Sequence, residues 1–221
     1  MSRSLFITGT GTEVGKTMVA AAAARTLAGA GERVAVFKPA VSGLDDYSET
    51  GPPPDHELLR LAAGSRQSDD EIAPYRFGPP VSPHLAAALA GEEIDPARLR
   101  AAAAAAARNA DALILEGVGG FLVPLTLGYL VRDFARDIGA PVGIAASAGL
   151  GTINHALLTI ESVRAVGLEV AGVVLTPWPD EPGVLERSNR EAIERLGRVR
   201  VEVLPHLDAS DPTGWPALEL V

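Results

Sequence analysis

The chain has 221 residues, 47% of them hydrophobic but only 5% aromatic, so its core must be built mainly from alanine, valine and leucine. A formal net charge of −9 argues against nucleic acid as a partner, and the lack of any cysteine excludes disulfides, thiolate metal sites and a cysteine nucleophile. Met1–Phe6 does not look like a signal peptide, and no charge-free apolar run of ~18 residues occurs, so a cytoplasmic protein without membrane association is expected.

Short apolar runs alternate with helical stretches along the chain. Leu5-Phe6-Ile7 reads as a strand ending at Thr8-Gly9, and Thr17 to Leu27 reads as a helix stopped by Gly29 and Gly31. Val34 to Phe37 is the next strand, ended by Lys38-Pro39. A polar, proline-rich loop from Tyr47 to Pro54 leads into a helix over Asp55 to Ala63, with Gly64 at its end. Pro79 to Pro83 is a second loop. Pro96 to Arg108 is a helix with Asp95 as cap and Pro96 at its first position; its run of seven alanines is helix propensity, not a membrane span.

Leu113-Ile114-Leu115 is a buried strand leading into Glu116-Gly117. Val142 to Ala146 is another, followed by a helix over Ile153 to Val166 that Gly167 ends. Val170 to Leu175 is a strand, Ala192 to Leu196 belongs to a helix, and Val199 to Val203 is the last strand. The strands do not alternate strictly, which suits a parallel sheet covered on both faces. The pattern predicts a doubly wound α/β fold like that of P-loop nucleotide hydrolases, as a single domain over residues 1–221. In such folds ligands bind beyond the carboxyl ends of the strands, where Lys38 and Glu116 would gather.

Between the first strand and helix lies Gly9-Thr10-Gly11-Thr12-Glu13-Val14-Gly15-Lys16-Thr17. Its glycines let backbone N–H groups turn inward around phosphate oxygens, and the helix that follows presents its positive end to the same anion. Lys16 then reaches the β- and γ-phosphates, and the Thr17 hydroxyl can ligate Mg²⁺. Five residues separate Gly9 from Gly15 where the usual phosphate loop has four. Glu116, before Gly117-Val118-Gly119-Gly120, is placed to bind Mg²⁺ directly or through water. Asp55 is adequately explained as a helix N-cap, and an oxygen can meet a metal shell as well. His56, His84, His155 and His206 have no ligand spacing and are assigned to no metal. Ser82-Pro83-His84 reads as a loop and helix start that either helps form the substrate pocket or is there for structural reasons, which suffice by themselves.

These pieces, in this order, resemble the dethiobiotin synthetase family. The likeness is carried by the phosphate loop, Lys38-Pro39 with Ser42-Gly43, Asp55, Ser82-Pro83-His84 and Glu116 to Gly120. Pro124-Leu125, Gly151-Thr152-Ile153-Asn154-His155 and Ala171-Gly172 complete it, and it fades beyond about residue 176. The resemblance implies a homodimeric enzyme that uses ATP and Mg²⁺ to turn 7,8-diaminononanoate and CO₂ into dethiobiotin, through a carbamate and a carbamic–phosphoric anhydride. It implies that Lys16 and Lys38 contact the γ-phosphate and carbamate, with Thr12, Glu13 and Ser42 lining the same region. Glu13, Val14, Gly15, Gly117 and Gly119 would hold the nucleotide, and Thr17, Asp55 and Glu116 the metal. Gly151, Thr152 and Asn154 would take the distant carboxylate of the substrate from the neighbouring subunit.

One position departs from the family pattern. Where members often carry an asparagine that reads adenine, this chain has Thr176, so other nucleoside triphosphates are expected to serve beside ATP. Two further readings are a partition- or division-type ATPase and a non-catalytic nucleotide-binding module. The first would carry a second lysine early in the loop, where this chain has Gly11, Thr12 and Glu13. The second would not need Lys38, Glu116 and Asn154 together. A cobyrinic-acid-type amidoligase would need a glutaminase cysteine, which is absent.

Overall fold

The computed structural model describes residues 3–48 and 51–220; Met1, Ser2, Val221 and the loop residues Glu49 and Thr50 lie outside the described residues. In chain order the main elements begin with β1 (Arg3–Gly9), α1 (Lys16–Gly29), β2 (Val34–Phe37), α2 (Asp55–Ala63), α3 (Asp69–Ile72), α4 (Pro83–Leu89) and α5 (Pro96–Ala107). They continue with β3 (Ala112–Gly120), β4 (Pro124–Thr126), β5 (Tyr129–Leu130), α6 (Val131–Ile138) and β6 (Val142–Ala146). The last are α7 (Thr152–Ala165), β7 (Val170–Trp178), α8 (Val184–Gly197) and β8 (Val201–Pro205).

Six strands form one parallel sheet in the order β2-β3-β1-β6-β7-β8, and β4 pairs with β5 as a small antiparallel ribbon. Both faces of the sheet are covered. Leu5 and Ile7 of β1 belong to a core shared with α1 and α2, whereas Phe6 between them packs in the core built by α4 to α8. Both sets of side chains are buried, which is why the strands read as continuous apolar runs.

Helix α1 lies deep in the first core. Ala20, Ala21, Ala22, Ala23 and Ala24 are fully buried, so the small side chains let the helix sit close to the sheet on one side and to α2 on the other. The opposite core centres on Phe134 of α6, whose ring lies 6.0 Å from Phe6 and 5.9 Å from Phe37. Truncating so buried a ring to alanine costs about 3–5 kcal/mol.

The chain runs from β1 through α1 to β2 on one side, and from β3 by way of α6 to β6 on the other. The carboxyl ends of β1 and β3 therefore flank a topological switch point, where open sheets of this kind bind ligands. Several elements are longer than the sequence reading gave. Strand β3 runs on through Glu116 to Gly120 rather than ending at Leu115, and β7 reaches Trp178 and so includes Thr176. The last strand begins at Val201, not Val199.

Candidate functional site

Strand register sets the centre of the site. Phe37 of β2 stands opposite Leu115 of β3, and Ile7 of β1 stands opposite Glu116. Lys38, the next residue after Phe37, therefore comes level with Glu116, one rung beyond the last paired apolar residues. Lys38 Nζ donates to Glu116 Oε1 at 2.6 Å and to Asp55 Oδ2 at 2.5 Å. The Thr17 hydroxyl lies 2.9 Å from Glu116 Oε1 and 3.0 Å from Asp55 Oδ1, with one hydrogen to share between the two acceptors.

The N-cap reading of Asp55 fails. Pro54 is the N-cap of α2 and Asp55 is its first helical residue; the aspartate carboxylate makes no cap bond and turns instead to Lys38 and Thr17. A nearby ammonium and a hydroxyl are stronger partners for it than the helix amides.

Charge in the cluster is tightly coupled. Burial disfavours the Lys38 ammonium, but the Asp55 and Glu116 carboxylates outweigh it and hold the lysine well above its ordinary range. Burial likewise opposes ionisation of Asp55, and the Lys38 charge reverses that and pulls its carboxyl down. Glu116 is pushed up, by burial first, with Asp55 adding to it against the attraction of Lys38. Burial also lowers Lys16. Glu116 Oε2 is fully buried and has no hydrogen-bond partner. A buried carboxylate oxygen left bare is costly unless a further cation or donor meets it.

The phosphate loop stands over this cluster. Glu13 and Gly15 both have left-handed backbone, with φ of 58° and 83°. The first is strained for a residue with a side chain, and such strain collects at ligand-binding turns. Left-handed residues alternating with right-handed ones turn successive N–H groups to one side, which makes an anion nest. Lys16 Nζ folds back to the Gly11 carbonyl at 2.8 Å, and the Thr10 N–H ties the loop to Ala145 of β6. Gly9 is required for this path. A Cβ there would stand 2.8 Å from both Lys16 Cγ and Val14 Cγ2.

A cleft of about 700 Å³ opens over the cluster. Of the residues singled out in the sequence, it brings together Thr12, Glu13, Gly15, Lys16, Thr17, Lys38, Ser42, Asp55, Glu116 and Gly119, with Ser82 and Pro83 on its far wall. Val14 and Gly117 do not line it. Val14 packs beneath the loop, and Gly117 is a buried strand residue whose added Cβ would meet Val131 and Phe6. Tyr47 also faces the cleft. Sequence reading placed Tyr47 in a loop without a role; a lone aromatic in so polar a stretch was the available signal.

A second cavity of about 790 Å³ shares Glu13, Gly15 and Met18 with the first and is walled by Thr176, Pro177 and the stretch from Pro205 to Ser210. Thr176 is buried, and its methyl group packs on Gly15 so closely that a Cβ on Gly15 would fall 2.5 Å away. The Pro205 to Ser210 wall was not anticipated. Gly151, Thr152 and Asn154 lie outside both cavities, at the start of α7. Gly151 is the helix N-cap with φ of 90°, no side chain caps the helix, Asn154 is exposed, and the buried Thr152 hydroxyl has no partner.

A family model described as an AAA domain matches residues 3–217. The ATP-dependent dethiobiotin synthetase BioD of Anaeromyxobacter dehalogenans (strain 2CP-1 / ATCC BAA-258) is 46% identical over 82% of this chain and 81% of its own length. The proteins of the same name from Aromatoleum aromaticum and Bacillus subtilis (strain 168) are 40% and 35% identical, over 95% and 88% of this chain and 93% and 83% of their own. Among solved structures, apo McdA of Cyanthece aligns with a TM-score of 0.54 at 15% identity, covering 94% of this chain and 87% of its own, which is a likeness of fold.

Proposed function

This chain belongs to the ATP-dependent dethiobiotin synthetase family and is an ATP-dependent ligase, and from that premise we propose how its cleft works. The substrates are 7,8-diaminononanoate and CO₂. One amine adds to CO₂ to give a carbamate and a proton. A carbamate oxygen attacks the γ-phosphorus and ADP leaves; the second amine then attacks the carbamoyl carbon, phosphate leaves, the attacking nitrogen gives up a proton to solvent or to the departing phosphate, and the ureido ring closes.

The observation that carries this reading is the convergence of Thr17, Lys38, Asp55 and Glu116 beneath the phosphate loop, with Glu116 Oε2 bare. A hydroxyl and two carboxylates fit Mg²⁺, which takes few protein ligands and completes its shell with phosphate and water oxygens. Thr17, Asp55 and Glu116 would hold it, and its charge would screen the β- and γ-phosphate oxygens. The loop amides and Lys16 cradle the phosphates. Lys38, kept protonated by its two carboxylates, offers a fixed positive charge to the γ-phosphate and carbamate oxygens, where negative charge shifts during transfer. Ser42 and Thr12 orient the reacting amines, since holding two reactants in line supplies much of the rate.

The nucleoside occupies the second cavity, beside Thr176. A hydroxyl has no amide's paired donor and acceptor, so nucleoside triphosphates other than ATP also serve. The uncapped start of α7 receives the distant carboxylate. Because that helix end lies outside the cleft and carries Leu150 and Leu158 exposed beside it, it serves the site of a second copy in a homodimer. The chain acts as one domain in the cytoplasm, and no helix among the described residues is long and apolar enough to cross a membrane. Phosphate release tests the reading. It must depend on diamine and bicarbonate together; release from ATP alone at the same rate refutes the ligase chemistry for this cleft.

A further inference from the structure

Asn189 of α8 is 4% exposed, in a helix whose neighbouring buried residue one turn on is Ile193. A buried amide needs partners for its hydrogens, and an apolar residue would pack at less cost. Its side-chain nitrogen donates to the carbonyls of Ala148 at 2.9 Å and Gly149 at 3.1 Å, some 40 residues away. Among the described residues no other side chain donates to the loop 147–151, which joins β6 to α7. The Gly149 carbonyl held in this way also faces the N–H of Thr152, the first residue of α7, at 3.4 Å. The amide thus fixes the direction in which the loop delivers Gly151 and the open helix end. Thr152, whose hydroxyl is buried and unpartnered, sits at that same end.

We propose that Asn189 is a positioning residue of the ligase: through the Ala148 and Gly149 carbonyls it sets the start of α7 to receive the substrate carboxylate. The proposal rests on the reading above that this helix end binds that carboxylate. Asn189 touches neither cavity around the phosphate loop, so its effect is confined to the diamine.

The test compares the full-length enzyme with Asn189→Ala and the isosteric Asn189→Asp, which keeps the shape and loses both donors. Each is assayed where circular dichroism shows it folded, with 7,8-diaminononanoate and with its methyl ester. In the native enzyme the acid is preferred to the ester. Either variant raises KM for the acid about tenfold and erodes that preference, while KM for ATP and kcat stay within about twofold. Were the native enzyme to prefer the acid and both variants to keep the preference with unchanged KM, Asn189 would be structural only and the proposal overturned. A fall in kcat or a matching rise in KM for ATP overturns it too. A native enzyme indifferent to the ester instead removes the carboxylate reading itself, and the proposal with it.

Discussion

The Lys38 ammonium lies 2.6 Å from Glu116 Oε1, where 4% of the lysine side chain and none of the glutamate is exposed. Two residues 78 positions apart meet because β2 and β3 are neighbours in register, and the pair sits where the sheet stops being apolar. A buried pair of this kind adds little net stability, but removing one member is costly because the other is left uncompensated.

Lys38→Ala is therefore expected to act twice. Turnover falls by about 10²–10³ as the charge at the transferring phosphoryl group is lost, while ATP binding is partly kept by Lys16 and the loop amides. Without divalent cations the variant loses about 3–5 kcal/mol of stability, since Asp55 and Glu116 are left facing each other. Added Mg²⁺ restores part of that loss. Phosphate release and thermal melts with and without Mg²⁺ check both; full activity removes Lys38 from the mechanism.

Gly15→Ala places a methyl group 2.5 Å from Thr176 Cγ2 at a φ of 83°. Nucleotide affinity is expected to drop at least about tenfold, from backbone strain of roughly 1–3 kcal/mol plus the clash. Adding Thr176→Ser removes the opposing methyl and recovers part of the loss. Fluorescent-nucleotide titration of the single and double variants reads this as non-additivity; strictly additive losses contradict the packing.

Thr176→Asn supplies the paired donor and acceptor that threonine lacks. The ratio of kcat/KM for ATP over CTP is expected to rise roughly 2–10-fold, the worth of one net hydrogen bond. An unchanged ratio places the base elsewhere than the second cavity.

Outside the site, hydrogen bonds from the Arg33 guanidinium and backbone hold the Asp111 carboxyl down to about 2. A depressed acid stabilises the fold above its unfolded value near 3.9 and loses that contribution as pH falls through its folded value. The melting temperatures of the native chain and Asp111→Asn should thus differ above about pH 4 and converge toward pH 2. A constant difference across that window contradicts the assigned bond.

What could be read in the sequence had strong local causes. The phosphate loop follows β1 because Gly9 and Gly15 are demanded by its path, and α7 was legible over Ile153 to Val166 because Gly167 ends it. Strand β3 was cut short because Gly117, Gly119 and Gly120 have poor strand propensity. Packing overrides that preference at Gly117, where a Cβ would press on Val131 Cγ1 at 3.0 Å. Helix α6 was passed over although Phe134 anchors a core, because its eight residues are half charged and its apolar face is read only against β1 and β2. The wall from Pro205 to Ser210 carries no motif at all. It becomes part of the site because β8 ends beside β7, a contact between distant segments that periodicity does not encode.

The ligase assignment is tested most directly by product. Purified protein is incubated with Mg²⁺, bicarbonate and 7,8-diaminononanoate, with ATP, CTP or GTP in turn, and dethiobiotin is measured by mass spectrometry. Dethiobiotin formed with ATP and with at least one other triphosphate, and absent when diamine or bicarbonate is omitted, is the predicted result. No dethiobiotin with any triphosphate, from folded and Mg²⁺-supplied protein, would contradict it.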